Sequence, residues 1–595
     1  MHKKVVTFIE KYKEQIIILI IMLILALFQV IRCIEYPGLY YDAVNPDYMA
    51  VQLLYPQVEN PLWIVPHTGF PLLGQLYHGT LTAWVQTVVI GLTGNASLWT
   101  VRTTNMAYIV GICWLCYLIG RWVNINKIIL YSGLVVIILS PQAYSLIRTQ
   151  YYIKLPGTFF LLAAVYALMK VSKNEQKKGK LLILSGVLCG LAAYTYFIFL
   201  FYIPAMILFC LVESKSKKDK IKNVITWLIG VLGGGTLYII GFFDLFLTYA
   251  TWNDELKKCI IYTFTVSLIG IVVICCSLCA KNYYKDEVIK RVCCFLVFIG
   301  GIGIFIVGAN LNKILDIILP QVQTLHVLGN KISFYTRVRQ FFMFWKEVMS
   351  NRSLEQMMLG KNTSILSQTY SCVFLLSLLL SLITTRKEKG NHSILVGIKF
   401  FFLLLSSYYI FSLPFISRMG EQHFIPNYFI TMLMIILQLG YLYSQNKNRM
   451  RQLVCICVVV ILVVSVINSN LLNTNMKLVG GVDKYSSEIN QISKEALEDY
   501  MMGKKVVYVF PEWGLFCGFN YLTMNQIPVL LKVDKQGLKD YVEEGYTIKL
   551  CTWEKEKVLD YQKLLEDIGI NYPQIRNRKV FFEIHSDKNV IGIAE

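Results

Sequence analysis

The feature that most constrains this chain is a series of long apolar segments, each long enough to cross a lipid bilayer as a helix. A hydrocarbon core about 30 Å thick requires roughly 20 apolar residues per helix. Thirteen such runs begin near Ile16, Val101, Ile128, Pro156, Leu181, Phe199, Val224, Cys259, Val292, Tyr370, Ser393, Pro426 and Leu453. The mean hydropathy of +0.53 excludes a soluble globular enzyme, a disordered chain and a nucleic-acid-binding protein. The predicted fold class is an α-helical polytopic membrane protein with about 13 transmembrane helices.

The basic residues between the spans predict the orientation of the chain. Five Lys and Arg clusters lie at 173–180, 215–222, 281–291, 386–389 and 447–451. All five fall on the side of the basic N-terminus if segment 72–92, which is apolar but rich in Gln and Thr, lies along the outer surface as an amphipathic helix. The positive-inside rule then places the N-terminus in the cytoplasm. The prediction is a multi-pass protein of the cell membrane.

This topology divides the chain into a transmembrane domain, 1–476, and a C-terminal domain, 477–595. Outer loops are predicted at 36–100, 146–155, 310–368 and 414–425. In the C-terminal part, short apolar runs alternate with helical patterns, which predicts a small α/β domain. Its predicted strands are 505–510, 528–533, 547–551, 580–585 and 590–594. Because thirteen spans is an odd number, this domain is predicted to be extracytoplasmic.

The first outer loop, 36–100, contains acidic residues but neither Lys nor Arg. Asp42 and Asp47 follow the first span closely, so they are expected at the membrane face, where a lipid headgroup and a water-borne acceptor meet. A carboxylate there accepts a proton from an acceptor hydroxyl if its surroundings raise its pKa. Both residues also lie beside prolines, Pro37 and Pro46, and spacing alone favours turn capping as their role.

Several short motifs follow in order between residues 16 and 204. They are Phe70-Pro71-Leu72-Leu73-Gly74, Gly94 with Arg102, Gly120-Arg121, Ser140-Pro141, Arg148, and the run from Gly186 to Tyr194. Their order resembles that of the GT-C membrane glycosyltransferases, and especially the protein O-mannosyltransferases, the lipid A aminoarabinose transferases and uncharacterised bacterial relatives. The resemblance implies transfer of a sugar from a polyprenyl-phosphate-linked donor to an acceptor outside the cell membrane.

The resemblance also implies roles for residues of the first loop. The family's first-loop Asp activates the acceptor, which assigns the catalytic base to Asp42. A Glu usually follows that Asp, but Ala43 stands here, so Asp47 is the candidate second acid. The His-Pro-Pro-Leu entry of the mannosyltransferases reads His67-Thr-Gly-Phe-Pro-Leu in this chain. His67 is therefore a candidate ligand of the donor or the acceptor.

Later outer loops supply the candidate phosphate ligands. Arg148 and Lys154 occupy a loop that lacks the second acid of several GT-C enzymes, so we predict no metal site and no cofactor. They either contact a lipid phosphate or extend to the interface as ordinary cationic side chains. Arg418 and His423 lie in a loop similar to the family's late Arg-Tyr-Pro pattern, where a basic residue reaches the donor phosphate. A His at a membrane boundary is more often hydrogen-bonded than catalytic.

Two other classes of function remain open. A transporter or flippase for a lipid-linked sugar is expected to bury ionisable residues in mid-span and to show repeated halves. A non-catalytic scaffold is consistent with Ala43 and Lys154. The candidates cluster in outer loops, which favours chemistry at the membrane surface. The predicted partners are a polyprenyl-phosphate sugar donor, an extracytoplasmic glycan, lipid or protein acceptor, and the lipid bilayer, with no nucleic acid.

Overall fold

The computed structural model describes most of the chain. The described residues are 2–56, 71–75, 77–149, 154–172, 175–212, 216–250, 333–385, 392–413, 416, 419–445, 447–512, 514–530, 535–569, 574–577 and 582–585. Within them, a bundle of apolar helices is followed by a mixed α/β unit.

The first part of the bundle contains eleven helices and one small hairpin within the described ranges. The helices are α1 (His2–Ile31), α2 (Tyr41–Val44), α3 (Tyr48–Leu54), α4 (Leu81–Thr93), α5 (Leu98–Trp122), α6 (Lys127–Leu139), α7 (Pro141–Thr149), α8 (Lys154–Val171), α9 (Lys178–Thr195), α10 (Ile203–Val212) and α11 (Lys217–Ala250). The hairpin strands are β1 (Leu73–Gln75) and β2 (His78–Gly79). The second part contains α12 (Phe334–Ser350), α13 (Arg352–Leu359), α14 (Thr369–Thr385), α15 (His392–Ser412), α16 (Ile425–Tyr443) and α17 (Asn448–Val479).

Many of these helices are long and apolar enough to cross a membrane. Among the described residues there are eight, or nine if the pair α6 and α7, bent by 47°, forms one span. The segments Phe197–Val212 and Thr369–Thr384 are apolar but shorter. The predicted spans near Cys259 and Val292 lie outside the described residues. The helical membrane fold is confirmed, and the count of thirteen stays a prediction.

Segment 72–92 differs from the single amphipathic helix that its sequence predicts. Its first part forms the β1–β2 hairpin, because the hydroxyls of Thr80 and Tyr194 donate to the carbonyls of Pro71 (2.5 Å) and Leu72 (2.7 Å). Only α4 is helical, and its polar residue Gln86 points inward, where its amide donates to the Thr104 hydroxyl at 3.2 Å. The polar face of α4 therefore packs against protein rather than water, because its side chains have hydrogen-bonding partners within the bundle.

The C-terminal unit contains a five-stranded sheet in the order β4-β3-β5-β7-β6. The strands are β3 (Val506–Val509), β4 (Val529–Leu530), β5 (Thr547–Thr552), β6 (Gln574–Asn577) and β7 (Phe582–His585). The helices are α18 (Glu488–Met501), α19 (Phe516–Leu522), α20 (Lys535–Glu543) and α21 (Val558–Asp567). Strand β3 pairs in parallel with β4 and β5, whereas β7 is antiparallel to β5 and β6.

The predicted strands 505–510, 528–533, 547–551 and 580–585 correspond to β3, β4, β5 and β7. Strand β6 was not predicted, and 590–594 lies outside the described residues. Helix α17 continues to Val479, so the predicted domain boundary at 477 falls in its last turn. The extracytoplasmic position of the unit stays a prediction.

The C-terminal unit packs directly against the first outer loop. The Tyr41 amide donates to the Gly514 carbonyl at 2.5 Å, and the Gly38 amide donates to the Tyr485 carbonyl at 2.9 Å. A Cβ on Gly518 would lie 2.0 Å from the Leu39 carbonyl oxygen, so α19 approaches this loop as closely as a glycine permits. These contacts hold helix α2, which carries Asp42, between the bundle and the C-terminal unit.

Candidate functional site

Asp42 lies in the first turn of α2 and is only 7% exposed. The segment between α1 and α2 is fixed by Arg102 of α5, which donates to the carbonyls of Cys33 (3.1 Å) and Pro37 (2.6 Å). Arg102 is fully buried, and these bonds satisfy two backbone carbonyls of the segment that follows α1. Together with the Tyr41 contact to Gly514, they fix the position of the Asp42 backbone.

Lys154 is the first residue of α8 and is fully buried. Its ammonium nitrogen lies 5.1 Å from the ring centroid of Tyr196, a cation–π distance. The charges of Lys154 and Asp42 interact electrostatically. Two residues that are 112 positions apart in the sequence, and that were both predicted as site residues, are therefore both buried and within electrostatic range of each other.

Two histidines line the same site. The His423 Nε2 atom lies 2.9 Å from the Tyr196 hydroxyl, and the Lys154 charge acts on both His423 and His78. Burial, reinforced by that charge, lowers the pKa of His78 to about 4. His78 is therefore neutral near pH 7.

A second cation near Asp42 comes from the C-terminal unit. The charge of Lys484 also interacts with that of Asp42. The sequence prediction missed His78, Tyr196 and Lys484. His78 stands only eleven residues beyond His67, in a loop already marked as functional, which was an available signal. For Tyr196 and Lys484 the sequence contains no comparable signal.

Asp47 is the second candidate acid of this loop. It is fully buried at the N-terminal boundary of α3, where its side chain makes no capping hydrogen bond. Its charge acts on Tyr521 of the C-terminal unit and raises the pKa of that phenol, although burial is the larger cause. The catalytic roles of Asp42 and Asp47 stay predictions, and the geometry distinguishes the two acids.

Arg148 has structural partners. It is fully buried, and its guanidinium donates to the carbonyls of Tyr144 (2.9 Å), Gln29 (2.8 Å) and Cys33 (3.2 Å). These bonds stabilise the C-terminal end of α1 and the last turn of α7. The predicted contact of Arg148 with phosphate stays a prediction, but these bonds favour a positioning role. Full burial also rules out an ordinary interfacial position for Arg148 and Lys154.

Two predicted site residues, His67 and Arg418, lie outside the described residues. Within the described ranges, no group of three or more His, Cys, Asp or Glu side chains is arranged to hold a metal ion.

Solved structures similar to this chain include two kinds of glycosyltransferase. The ArnT protein of Cupriavidus metallidurans in the apo state is 9% identical, with 97% of this chain and 98% of that chain covered and a TM-score of 0.42. Its complex with undecaprenyl phosphate is also 9% identical, covers 98% of this chain and 100% of that chain, and has a TM-score of 0.41.

Another similar solved structure is the protein O-mannosyltransferase Pmt1–Pmt2 complex of S. cerevisiae, bound to the sugar donor. It is 16% identical, has a TM-score of 0.27, and covers 39% of this chain. This chain spans only 34% of that yeast chain. A comparison with curated protein sequences found no match.

Residues 77–243 match the family model described as dolichyl-phosphate-mannose-protein mannosyltransferase. The matched segment includes His78, Lys154 and Tyr196, which form one wall of the site around Asp42. It also begins within the hairpin and extends through α4 to most of α11, the helices that support that wall. Residues 77–243 of this helical membrane protein are therefore similar to the dolichyl-phosphate-mannose-protein mannosyltransferases.

Proposed function

We propose that this protein transfers a sugar from a polyprenyl-phosphate-linked donor to a hydroxyl group of an acceptor at the membrane face. The observation that carries the proposal is the electrostatic interaction of two buried residues, Asp42 and Lys154, where α1 ends and α8 begins. An acid and a cation are the two groups that such a transfer needs. The matched family model, which names a lipid-phosphate sugar donor, supports this donor class.

The proposed reaction assigns a distinct role to each charged group. The Asp42 carboxylate accepts the proton of the acceptor hydroxyl, whose oxygen forms a bond to the anomeric carbon of the sugar. The bond from that carbon to the phosphate oxygen breaks, and the lipid phosphate leaves with the electron pair. Lys154 stabilises the charge on the leaving phosphate, in a site where burial makes the interaction stronger than in water.

Tyr196 and His423 have a positioning role in this proposal. The Tyr196 ring lies against the Lys154 ammonium while its hydroxyl is hydrogen-bonded to His423. The His423 backbone carbonyl accepts a hydrogen bond from the Tyr408 hydroxyl at 2.6 Å. This chain of contacts fixes the side of the site opposite α2, so that Lys154 is held in place before the donor arrives.

The proposal is tested by mass analysis of lipid-linked sugars in cells with and without the protein. We expect a polyprenyl-phosphate sugar to accumulate when the protein is absent and to fall to its normal amount when the wild-type protein is restored. A protein carrying Asp42→Asn, inserted at equal amount, should not restore it. Unchanged lipid-linked sugars and surface glycans after removal of the protein would contradict the proposal.

Addition of EDTA to a purified assay should leave transfer unchanged, because Lys154 supplies the positive charge.

We also propose that the Asp42 site and the C-terminal unit lie outside the cytoplasm. Helix α8 runs from Lys154 at the site to Val171, and the basic cluster at 173–180 follows directly. The positive-inside rule assigns that end of α8 to the cytoplasm, and hence the site to the opposite face. In an otherwise unreactive cysteine background, Lys535→Cys should react with an impermeant thiol reagent in intact cells, whereas Lys178→Cys should not. The reverse pattern would invert the topology.

A further inference from the structure

The turn Asp483–Tyr485 brings the C-terminal unit against the first outer loop. The rings of Tyr40 and Tyr485 have centroids 4.2 Å apart. Within the turn, the Tyr485 amide donates to the Val482 carbonyl at 2.9 Å. Asp483 has a φ of 47°, in the left-handed region that a residue with a side chain rarely adopts. The turn is therefore a defined structural element and places Lys484 beside Tyr40.

The side chain of Lys484 is packed between aromatic rings and a glycine at this contact. Its ammonium nitrogen lies 5.4 Å from the Tyr40 ring centroid and 5.9 Å from that of Tyr485. Its stem passes over Gly514, where an added Cβ would lie 3.0 Å from the Lys484 Cβ. Gly514 has a φ of 130°, which strongly favours glycine. The loop after β3 thus leaves room for the Lys484 side chain. The Gly514 carbonyl of the same loop accepts the hydrogen bond from the Tyr41 amide.

Two lysines and two acids interact electrostatically at this contact. The carboxylate of Asp42 acts on both Lys154 and Lys484. Asp483 also acts on Lys484 but is itself exposed, so water screens its charge. Partial burial lowers the pKa of Lys484, and the two acids oppose that effect. Lys154 is fully buried, whereas Lys484 keeps part of its surface open to a ligand.

The position of Lys484 relative to the bilayer indicates the class of ligand. Helix α1 ends at Ile31, α8 begins at Lys154, and α17 ends at Val479, only a few residues before Lys484. The three segments meet where helices leave the membrane, which is the level of lipid phosphate groups. We propose that Lys484 binds the phosphate of the polyprenyl-phosphate donor, so that the donor site is completed by the C-terminal unit. This inference rests on the proposed function.

The test measures lipid binding to the purified full-length protein in nanodiscs by native mass spectrometry. The probe is undecaprenyl phosphate, and neutral undecaprenol is the lipid control. Lys484→Gln should weaken binding of undecaprenyl phosphate about tenfold, because a charge-assisted hydrogen bond is lost, and should leave undecaprenol unchanged. Lys494→Gln removes the same charge from an exposed position on α18 and is the matched control, with wild-type affinity expected. Lys484→Arg should retain most of the affinity.

Two results would overturn the inference. One is wild-type affinity of the Lys484→Gln protein for undecaprenyl phosphate. The other is an equal loss in the Lys494→Gln protein, which would show a general effect of charge. If the wild-type protein itself binds undecaprenyl phosphate no better than undecaprenol, the donor class of the proposed function fails as well. A wild-type protein that prefers the phosphate, with no effect of Lys484→Gln, contradicts only the role of Lys484.

Discussion

Asp42→Asn is expected to lower sugar transfer by about 10²-fold to 10⁴-fold, the usual loss when a general base is removed. Asn has nearly the same size as Asp and fits the same nearly enclosed position, but its amide does not accept the acceptor proton. In the proposed reaction cations hold the donor phosphate and Asp42 does not, so donor binding should remain close to that of the wild type. The measurement is single-turnover transfer with purified protein, together with the affinity for undecaprenyl phosphate.

Asp47→Asn is the control for Asp42→Asn, because it neutralises the other acid of the same loop. Its charge acts on Tyr521 of the C-terminal unit, and the proposed reaction assigns it no proton transfer. We therefore expect a much smaller loss of turnover from Asp47→Asn. If the Asp42→Asn protein turns over at a near-normal rate while the Asp47→Asn protein does not, the base is Asp47 and the assignment of Asp42 is wrong.

The fold could be predicted from the sequence where a local pattern decides it. Apolar length marked α1, α5, α8 and α16, because a bilayer imposes one minimum length on every helix that crosses it. The prediction of a surface helix over segment 72–92 was wrong for a related reason. Its Gln and Thr residues indicated a face toward water, whereas Gln86 is satisfied by Thr104 and by the hydroxyl of Tyr521, which donates to it at 3.2 Å. A partner 435 positions away leaves no local pattern.

The candidate site was predictable only in part, for the same physical reason. Asp42 follows the first span and Lys154 begins α8, so the sequence predicts that both lie at a membrane face. It does not reveal that they meet, nor that Lys484 joins them from the C-terminal unit. The absence of Lys and Arg from loop 36–100 suggested that Asp42 is remote from cations. In the folded protein Asp42 is near cations, because α8 contributes Lys154 and the Asp483–Tyr485 turn contributes Lys484.

Arg148 shows the opposite difference between sequence and structure. Its place beside an outer loop suggested a phosphate ligand, yet its guanidinium donates to three carbonyls, one within α7, one in the last turn of α1 and one just after α1. Backbone carbonyls at helix ends need donors, and a buried arginine supplies several at once. Sequence position alone does not distinguish an arginine that binds backbone carbonyls from one that binds a substrate phosphate, because both roles place a cation near the end of a span.

Lys154→Met is expected to lower transfer by at least about 10²-fold, because the charge that stabilises the leaving phosphate is lost. Met has an unbranched side chain of comparable length and fills the fully buried position without a charge. The same substitution leaves the Asp42 carboxylate with one cation fewer. Removal of one partner of a buried ion pair typically costs about 3–5 kcal/mol, so the protein should also unfold at a lower temperature in detergent.

The double variant Asp42→Asn/Lys154→Met separates these two effects. If the pair interacts, the double variant should regain much of the thermal stability that Lys154→Met loses, because neither charge is then buried alone. It should regain none of the transfer activity, since it lacks both the base and the cation. Recovery of activity together with stability would show that Lys154 acts only on the fold. Full additivity of the two stability losses would show that Asp42 and Lys154 do not form the pair on which the proposed reaction depends.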